Sequence, residues 1–150
     1  MAISDISFLR EYTALCMSHR RFEITLLVEF EDLDAGGVVY HANYLRLCDR
    51  VRSRFFDNAG FDFASLKTRD LAMTVRNFEA DYKIFMLGGE FRCVLHVEKV
   101  SERSFQVLHE FFQMRDSKEL LVFVGRATLV TVNYSTAKSC ALPKDLREFL

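Results

Sequence analysis

The sequence predicts an α+β domain in which one long helix packs against a mainly antiparallel sheet. Two observations carry this. Residues 43–58 place their apolar side chains at helical spacing, and the chain beyond residue 71 is a series of β-rich runs separated by short breaks. A third limits the size: 150 residues, half of them hydrophobic, suffice for one domain with a real core and are too few for two.

At the N-terminus Phe8, Leu9, Tyr12, Leu15 and Cys16 recur at helical spacing, with Ser4 or Asp5 placed to cap. A short amphipathic helix is expected over residues 5–17, within an N-terminal helical extension of residues 1–19. Next, Phe22, Ile24, Leu26, Val28 and Phe30 alternate with polar neighbours, broken only by Leu27, which predicts a first strand. An acidic, glycine-containing turn follows over 32–37. Tyr44, Leu47, Cys48, Val51 and Phe55 then share one face of a helix expected from Asn43 to Asn58, with Asn43 or His41 placed to cap it and Gly60 placed to end it. Arg50, Arg52 and Arg54 read as a solvated face of that helix.

Strands are expected at 72–82, 91–100, 104–114 and 120–134, punctuated by Gly88-Gly89, Glu102-Arg103 and Asp116-Ser117. Breaks this short favour antiparallel neighbours, so the four are expected to run mainly as a meander. The tail after Pro143 is expected to be a short helical end. A helix inserted between a first strand and such a meander must bury its apolar face against the sheet. That is the hotdog arrangement, although spacing alone does not separate it from other α+β sheets.

Composition narrows function. With 20 basic and 21 acidic residues the chain lacks a field that would gather nucleic acid or an anionic membrane. Asp5, Arg10 and Glu11 interrupt the apolar N-terminus and no basic region precedes it, so neither a signal peptide nor a membrane span is expected, and a cytoplasmic location is. Cys16, Cys48, Cys93 and Cys140 are scattered without a C-x-x-C pair and read as free thiols. Fifteen phenylalanines promise a dense core with apolar surface left for self-association.

The chemistry-bearing stretch is the turn before the helix. Taken alone, Asp34 is a turn residue or helix cap, and His41 a capping or surface histidine. Glu31, Asp32, Asp34 and His41 could imitate a metal cluster, but no second histidine has ligand spacing, and no metal is expected. His96 and His109 fall in strands and read as hydrogen-bonded structural residues. A carboxylate in a turn ahead of a helix lies near unsatisfied N–H groups, which can also stabilise a developing oxyanion. Gly36 and Gly37 leave the backbone open to a ligand.

The run Phe30-Glu31-Asp32-Leu33-Asp34-Ala35-Gly36-Gly37-Val38-Val39-Tyr40-His41-Ala42-Asn43-Tyr44-Leu45, with Arg50, Arg52 and Gly60 beyond it, resembles the 4-hydroxybenzoyl-CoA thioesterase family, in particular the acyl-CoA thioesterase branch associated with the Tol-Pal gene cluster. Asp81-Tyr82 and Leu142-Pro143 fit the family pattern loosely. The resemblance implies the hotdog fold and hydrolysis of an acyl-CoA or acyl-carrier-protein thioester, with no cofactor. It makes Asp34 and His41 the catalytic positions, and Gly36, Gly37, Val39 and Tyr40 the substrate-binding ones. It further implies a site shared between subunits of a homodimer or homotetramer, and basic residues for the coenzyme A phosphates, with Arg76, Lys83, Arg92, Arg103 and Arg126 as candidates. Backbone N–H groups near Tyr40 and His41 would polarise the thioester carbonyl. Two features depart from the family: Leu33 stands where a small polar residue is common, and 84–87 lacks a usual proline. The alternatives are a hotdog dehydratase or hydratase, whose proline-rich loop is missing here, and a non-catalytic acyl-CoA-binding protein.

Overall fold

A computed structural model describes residues 14–18 and 20–150, the first five as backbone only. In chain order the elements are β1 (Ala14–Ser18), β2 (Arg21–Val28), α1 (Asn43–Asn58), α2 (Phe63–Thr68), β3 (Leu71–Tyr82), β4 (Gly89–Val100), β5 (Ser104–Arg115), β6 (Lys118–Asn133) and α3 (Lys144–Phe149). The strands form one antiparallel sheet in the order β1-β2-β4-β5-β6-β3.

Period-two alternation aims one side of each strand inward. Phe22, Ile24, Leu26 and Val28 of β2, Phe91, Cys93 and Leu95 of β4, and Phe105, Val107 and Phe111 of β5 are all buried. The core face of α1 meets this surface across its width. Phe55 packs on Phe22 with ring centroids 5.8 Å apart, Phe56 on Phe105 at 5.8 Å, and Tyr44 on Phe123 at 4.8 Å. The helix thus touches β2, β5 and β6 at once, which is the hotdog arrangement. At one end, Phe149 of α3 stacks on Phe55, and Leu146 and Leu150 are buried. The expected helical tail after Pro143 is present.

Four expectations change. Most of the helix predicted over 5–17 lies outside the described residues, but its last part is strand, because 14–18 pair with the edge of β2 and satisfy backbone groups that edge would leave open. The first strand stops at Val28 rather than running to Phe30. Phe30 is 90% exposed in a single 3-10 turn, closed by the Asp32 N–H donating to Glu29 O (3.0 Å) and the Glu29 N–H donating to Asp32 Oδ2 (3.1 Å). Arg52 is not on a solvated face. It sits four residues after buried Cys48 and three before Phe55, at the margin of the apolar stripe, and is only 6% exposed. Its guanidinium donates to Asp49 at 2.8 Å.

The fourth change is topological. Only β4, β5 and β6 form a meander, while β3 lies on the far edge beside β6. The chain must therefore cross the sheet between Tyr82 and Gly89. It does so over the ends of β6 and β5: the Lys83 and Ile84 N–H groups donate to Val122 O, and Gln113 both accepts from Leu87 N–H (3.0 Å) and donates to Leu87 O (2.9 Å). Gly88-Gly89 is the end of this crossing and not a hairpin turn.

The free thiols Cys48 and Cys93 are buried in the core, and Cys140 is half-buried. His109 is fully buried, its Nδ1 3.1 Å from Gly125 O, and burial pushes its pKa down to about 3. The unfolded chain takes up a proton below about pH 6.5 that the native core refuses until about pH 3. Stability should therefore be unaffected by this group above pH 6.5 and fall as pH drops towards 3. Urea titrations at several pH values should show a steeper fall below pH 6.5 in the wild type than in His109→Gln, by up to about 1.4 kcal/mol per pH unit, the remaining slope coming from carboxylates such as Glu98 and Asp145 whose ion pairs lower their pKa.

Candidate active site

The loop from Leu33 to Ala42 is built by its own backbone before any side chain matters. The Asp34 N–H donates to Val38 O at 2.8 Å and the Gly37 N–H to Asp34 O at 3.0 Å, closing a tight turn. Gly37 holds φ +77°, a left-handed conformation that a side chain would strain. Leu33 and Val39 pair across the turn's base.

The Asp34 side chain is exposed, with Oδ1 held by the Gly36 N–H at 2.7 Å and the Val38 N–H at 3.4 Å. Among the described residues Oδ2 has no hydrogen-bond partner, so one carboxylate oxygen is anchored and the other is open. A Cβ at Gly36 would lie 3.1 Å from Oδ1, tight enough to displace the carboxylate.

The turn leads directly into α1. Ala42 is its N-cap and makes no side-chain capping bond. Neither expected cap acts: Asn43 Nδ2 donates to Asp32 O (3.1 Å), and His41 is exposed with its ring against Tyr40, centroids 4.4 Å apart. The helix end is therefore open, and the positive end of its dipole is left without a side-chain acceptor. The Tyr40 N–H is not among the free donors, because it donates to Asp32 O at 3.0 Å. The N–H groups of His41 and Ala42 remain, and neither meets an acceptor among the described residues.

The substrate-binding candidates divide. Gly36 and Gly37 are exposed on the turn, and Tyr40 is 46% exposed beside it. Val39 is 4% exposed with its side chain in the core, and its N–H donates to Met86 O at 2.8 Å. Of the basic residues, Arg92 pairs with Glu23 and Glu119, Arg126 with Glu98 and Glu79, Arg103 with Glu102, and Lys83 with Asp81. Arg76, exposed at the β3 bulge, has no ion-pair partner among the described residues. No group of three His, Cys, Asp or Glu side chains among the described residues is arranged to hold a metal ion.

Three residues fix the loop through hydrogen bonds that the sequence did not reveal. Buried Met86 accepts from Val39 and donates its N–H to the Tyr44 hydroxyl oxygen at 3.1 Å. Tyr44 is 3% exposed, and burial raises its pKa, so it stays neutral. The Tyr82 hydroxyl donates to His41 O at 3.0 Å. Only the match of Asp81-Tyr82 to the family pattern hinted at the last of these.

A sheet folded round one long helix defines the fold class, a hotdog domain. The chain belongs to the thioesterase-like superfamily, whose profile matches residues 28–150. The acyl-CoA thioesterase YbgC of Helicobacter pylori is 31% identical over 129 residues, covering 82% of this chain and 95% of that protein. The Haemophilus influenzae protein of the same name is also 31% identical over 129 residues, covering 84% and 91%. Solved structures share the fold. A 4-hydroxybenzoyl-CoA thioesterase variant bound to 4-hydroxybenzoyl-CoA superposes with a TM-score of 0.79 at 17% identity, covering 87% of this chain and 98% of that one. A hypothetical protein from Aquifex aeolicus gives 0.77 at 24% identity, covering 86% and 98%.

Gly36→Ala should lower thioester turnover on the order of tenfold by moving the anchored carboxylate. Its unfolding midpoint should stay close to wild type, because the position is exposed. Parallel rate and thermal-melt measurements check both halves.

Proposed function

We propose that this chain hydrolyses acyl-CoA thioesters, with the Asp34 carboxylate acting on a carbonyl polarised by the N–H groups at the start of α1. The observation that carries the proposal is the anchoring of Asp34: Oδ1 is held by two backbone N–H groups while Oδ2 stays open, in a turn that runs into an uncapped helix end.

The thioester carbonyl oxygen takes the position that the His41 and Ala42 N–H groups face, where partial positive charge stabilises the tetrahedral oxyanion. Asp34 Oδ2 either attacks the carbonyl carbon or removes a proton from the water that does. The C–S bond then breaks and the thiolate leaves with the coenzyme. Where Asp34 acts as base, the thiolate takes the proton that Asp34 drew from the water, and the free acid is released directly; where Asp34 attacks, the thiolate takes a proton from solvent, and water then hydrolyses the acyl-aspartyl anhydride, which frees the acid and restores the carboxylate. His41 contributes its backbone N–H, and its exposed imidazole orients the water. Gly36 and Gly37 let the substrate approach the backbone, Tyr40 flanks the acyl group, and Val39 supports the site from the core. Arg76 is the preferred contact for a coenzyme phosphate, since the other candidates are already paired.

The substrate class follows from the relatives named acyl-CoA thioesterases, and an acyl-carrier-protein thioester presents the same pantetheine arm. The protein acts in the cytoplasm as one domain of residues 1–150 and as a homodimer or homotetramer. Among the described residues, β3 pairs only with β6, so its outer edge and the exposed Val75 are open to a second copy. No helix among the described residues is long and apolar enough to cross a membrane.

The test is free-thiol release from a panel of aliphatic and aromatic acyl-CoAs and acyl-carrier-protein thioesters. Asp34→Asn should lose on the order of 10²-fold or more in rate. No turnover by wild type, or an Asn variant that matches it, contradicts the proposal. His41→Ala keeps the backbone donor and deletes only the ring, so kcat should drop by a smaller factor, about tenfold, with KM little changed.

A further inference from the structure

The start of α1 is hydrogen-bonded in an unusual order. The Asn43 N–H donates to Tyr40 O at 2.8 Å and the Leu45 N–H to Ala42 O at 3.2 Å. The His41 carbonyl between them is skipped by the helix. Its one hydrogen bond among the described residues comes from outside, from the Tyr82 hydroxyl at the end of β3, at 3.0 Å.

This matters because a trans peptide is a rigid plane in which C=O and the following N–H point in opposite directions. The His41 carbonyl and the Ala42 N–H belong to one such plane. Aiming the carbonyl at Tyr82 aims the N–H the other way. Ala42 has helical angles, φ −70° and ψ −24°, so that N–H projects from the open helix end like the other unpaired first-turn donors. The neighbouring plane is fixed likewise: the Tyr40 carbonyl is held by Asn43 N–H, which sets the His41 N–H. One donor is oriented by the helix itself and the other by a side chain 41 residues away.

We propose that Tyr82 is a positioning residue for catalysis, orienting the Ala42 N–H toward the developing oxyanion through its hydroxyl bond to His41 O. The inference rests on the thioesterase reading above and adds a residue that this reading does not use. The Tyr82 ring is held independently of its hydroxyl, edge-on to Tyr44 at 5.0 Å and against Phe123 at 5.3 Å, so the ring keeps its place when the oxygen is removed. Partial burial raises its pKa, which keeps the hydroxyl a donor through neutral pH. Without it, the peptide plane is free to tilt, and a donor that must be fixed before the charge develops is lost to reorganisation.

The experiment compares wild type, Tyr82→Phe and Asp34→Asn in one thiol-release assay, with melting temperature and the Kd of a non-hydrolysable coenzyme A thioether measured for each. The thioether has no carbonyl oxygen, so it reports binding without the oxyanion contact. Tyr82→Phe should lower kcat about three- to tenfold while KM, thioether Kd and melting temperature stay near wild type. An unchanged kcat overturns the inference, and so does a fall in kcat accompanied by equal losses in thioether binding or melting temperature, which marks a structural role. Full activity of Asp34→Asn overturns the underlying thioesterase mechanism instead, whatever Tyr82→Phe does.

Discussion

The site depends on one buried clasp, the backbone of Met86. The sheet order forces the chain to travel from the outer edge strand β3 back to the middle of the sheet, and the connecting segment passes over strand ends that no longer offer a regular ladder. Buried peptide groups without partners are costly, so the crossing is stable only where other groups meet it. Met86 is completely buried; its N–H is taken by the Tyr44 hydroxyl and its carbonyl by the Val39 N–H, while Val38 and Leu87 pair alongside. The same bonds that satisfy the crossing also fix both the far end of the Asp34 turn and the first turn of α1.

That coupling gives the chemistry its rigidity. A turn of exposed, glycine-rich chain is normally the softest part of a domain. Here it is short and closed on itself by the Asp34–Val38 bond, and it is tied at Val39 to a segment whose next residues are held by Gln113 of β5. In the proposed mechanism the Asp34 carboxylate can therefore face substrate while staying fixed with respect to the helix end. Preorganised donors and a fixed carboxylate stabilise a transition state more than groups that must reorient when charge develops.

Much of this is legible in the amino-acid sequence, and the parts that are not share a cause. The helix from Asn43 to Asn58 was readable because its signals are local: apolar residues at helical spacing and a glycine just past the end. The same holds for the long strands, and the family block located the Asp34 turn. Strand order was not readable, because the placement of β3 beside β6 is decided by packing between residues about fifty apart, and a six-residue crossing looks locally like a loose hairpin. Arg52 escaped because a charged residue at the margin of an apolar face carries no mark of burial. The occupied Tyr40 N–H and the Tyr82 bond to His41 O escaped because both depend on which carbonyl a distant group meets. Periodicity reports which face of an element is buried; it says nothing about individual hydrogen bonds between elements.

The most direct test of this account is native-state hydrogen exchange at the Val39 and Met86 amides, read against a core amide such as Leu95 in β4. If the clasp locks the site to the sheet, both amides exchange only through global unfolding, with the same opening free energy and denaturant dependence as Leu95. Exchange through a low-energy local opening, insensitive to denaturant, would mean that the loop moves independently of the sheet and would contradict the claim that the fold preorganises the site.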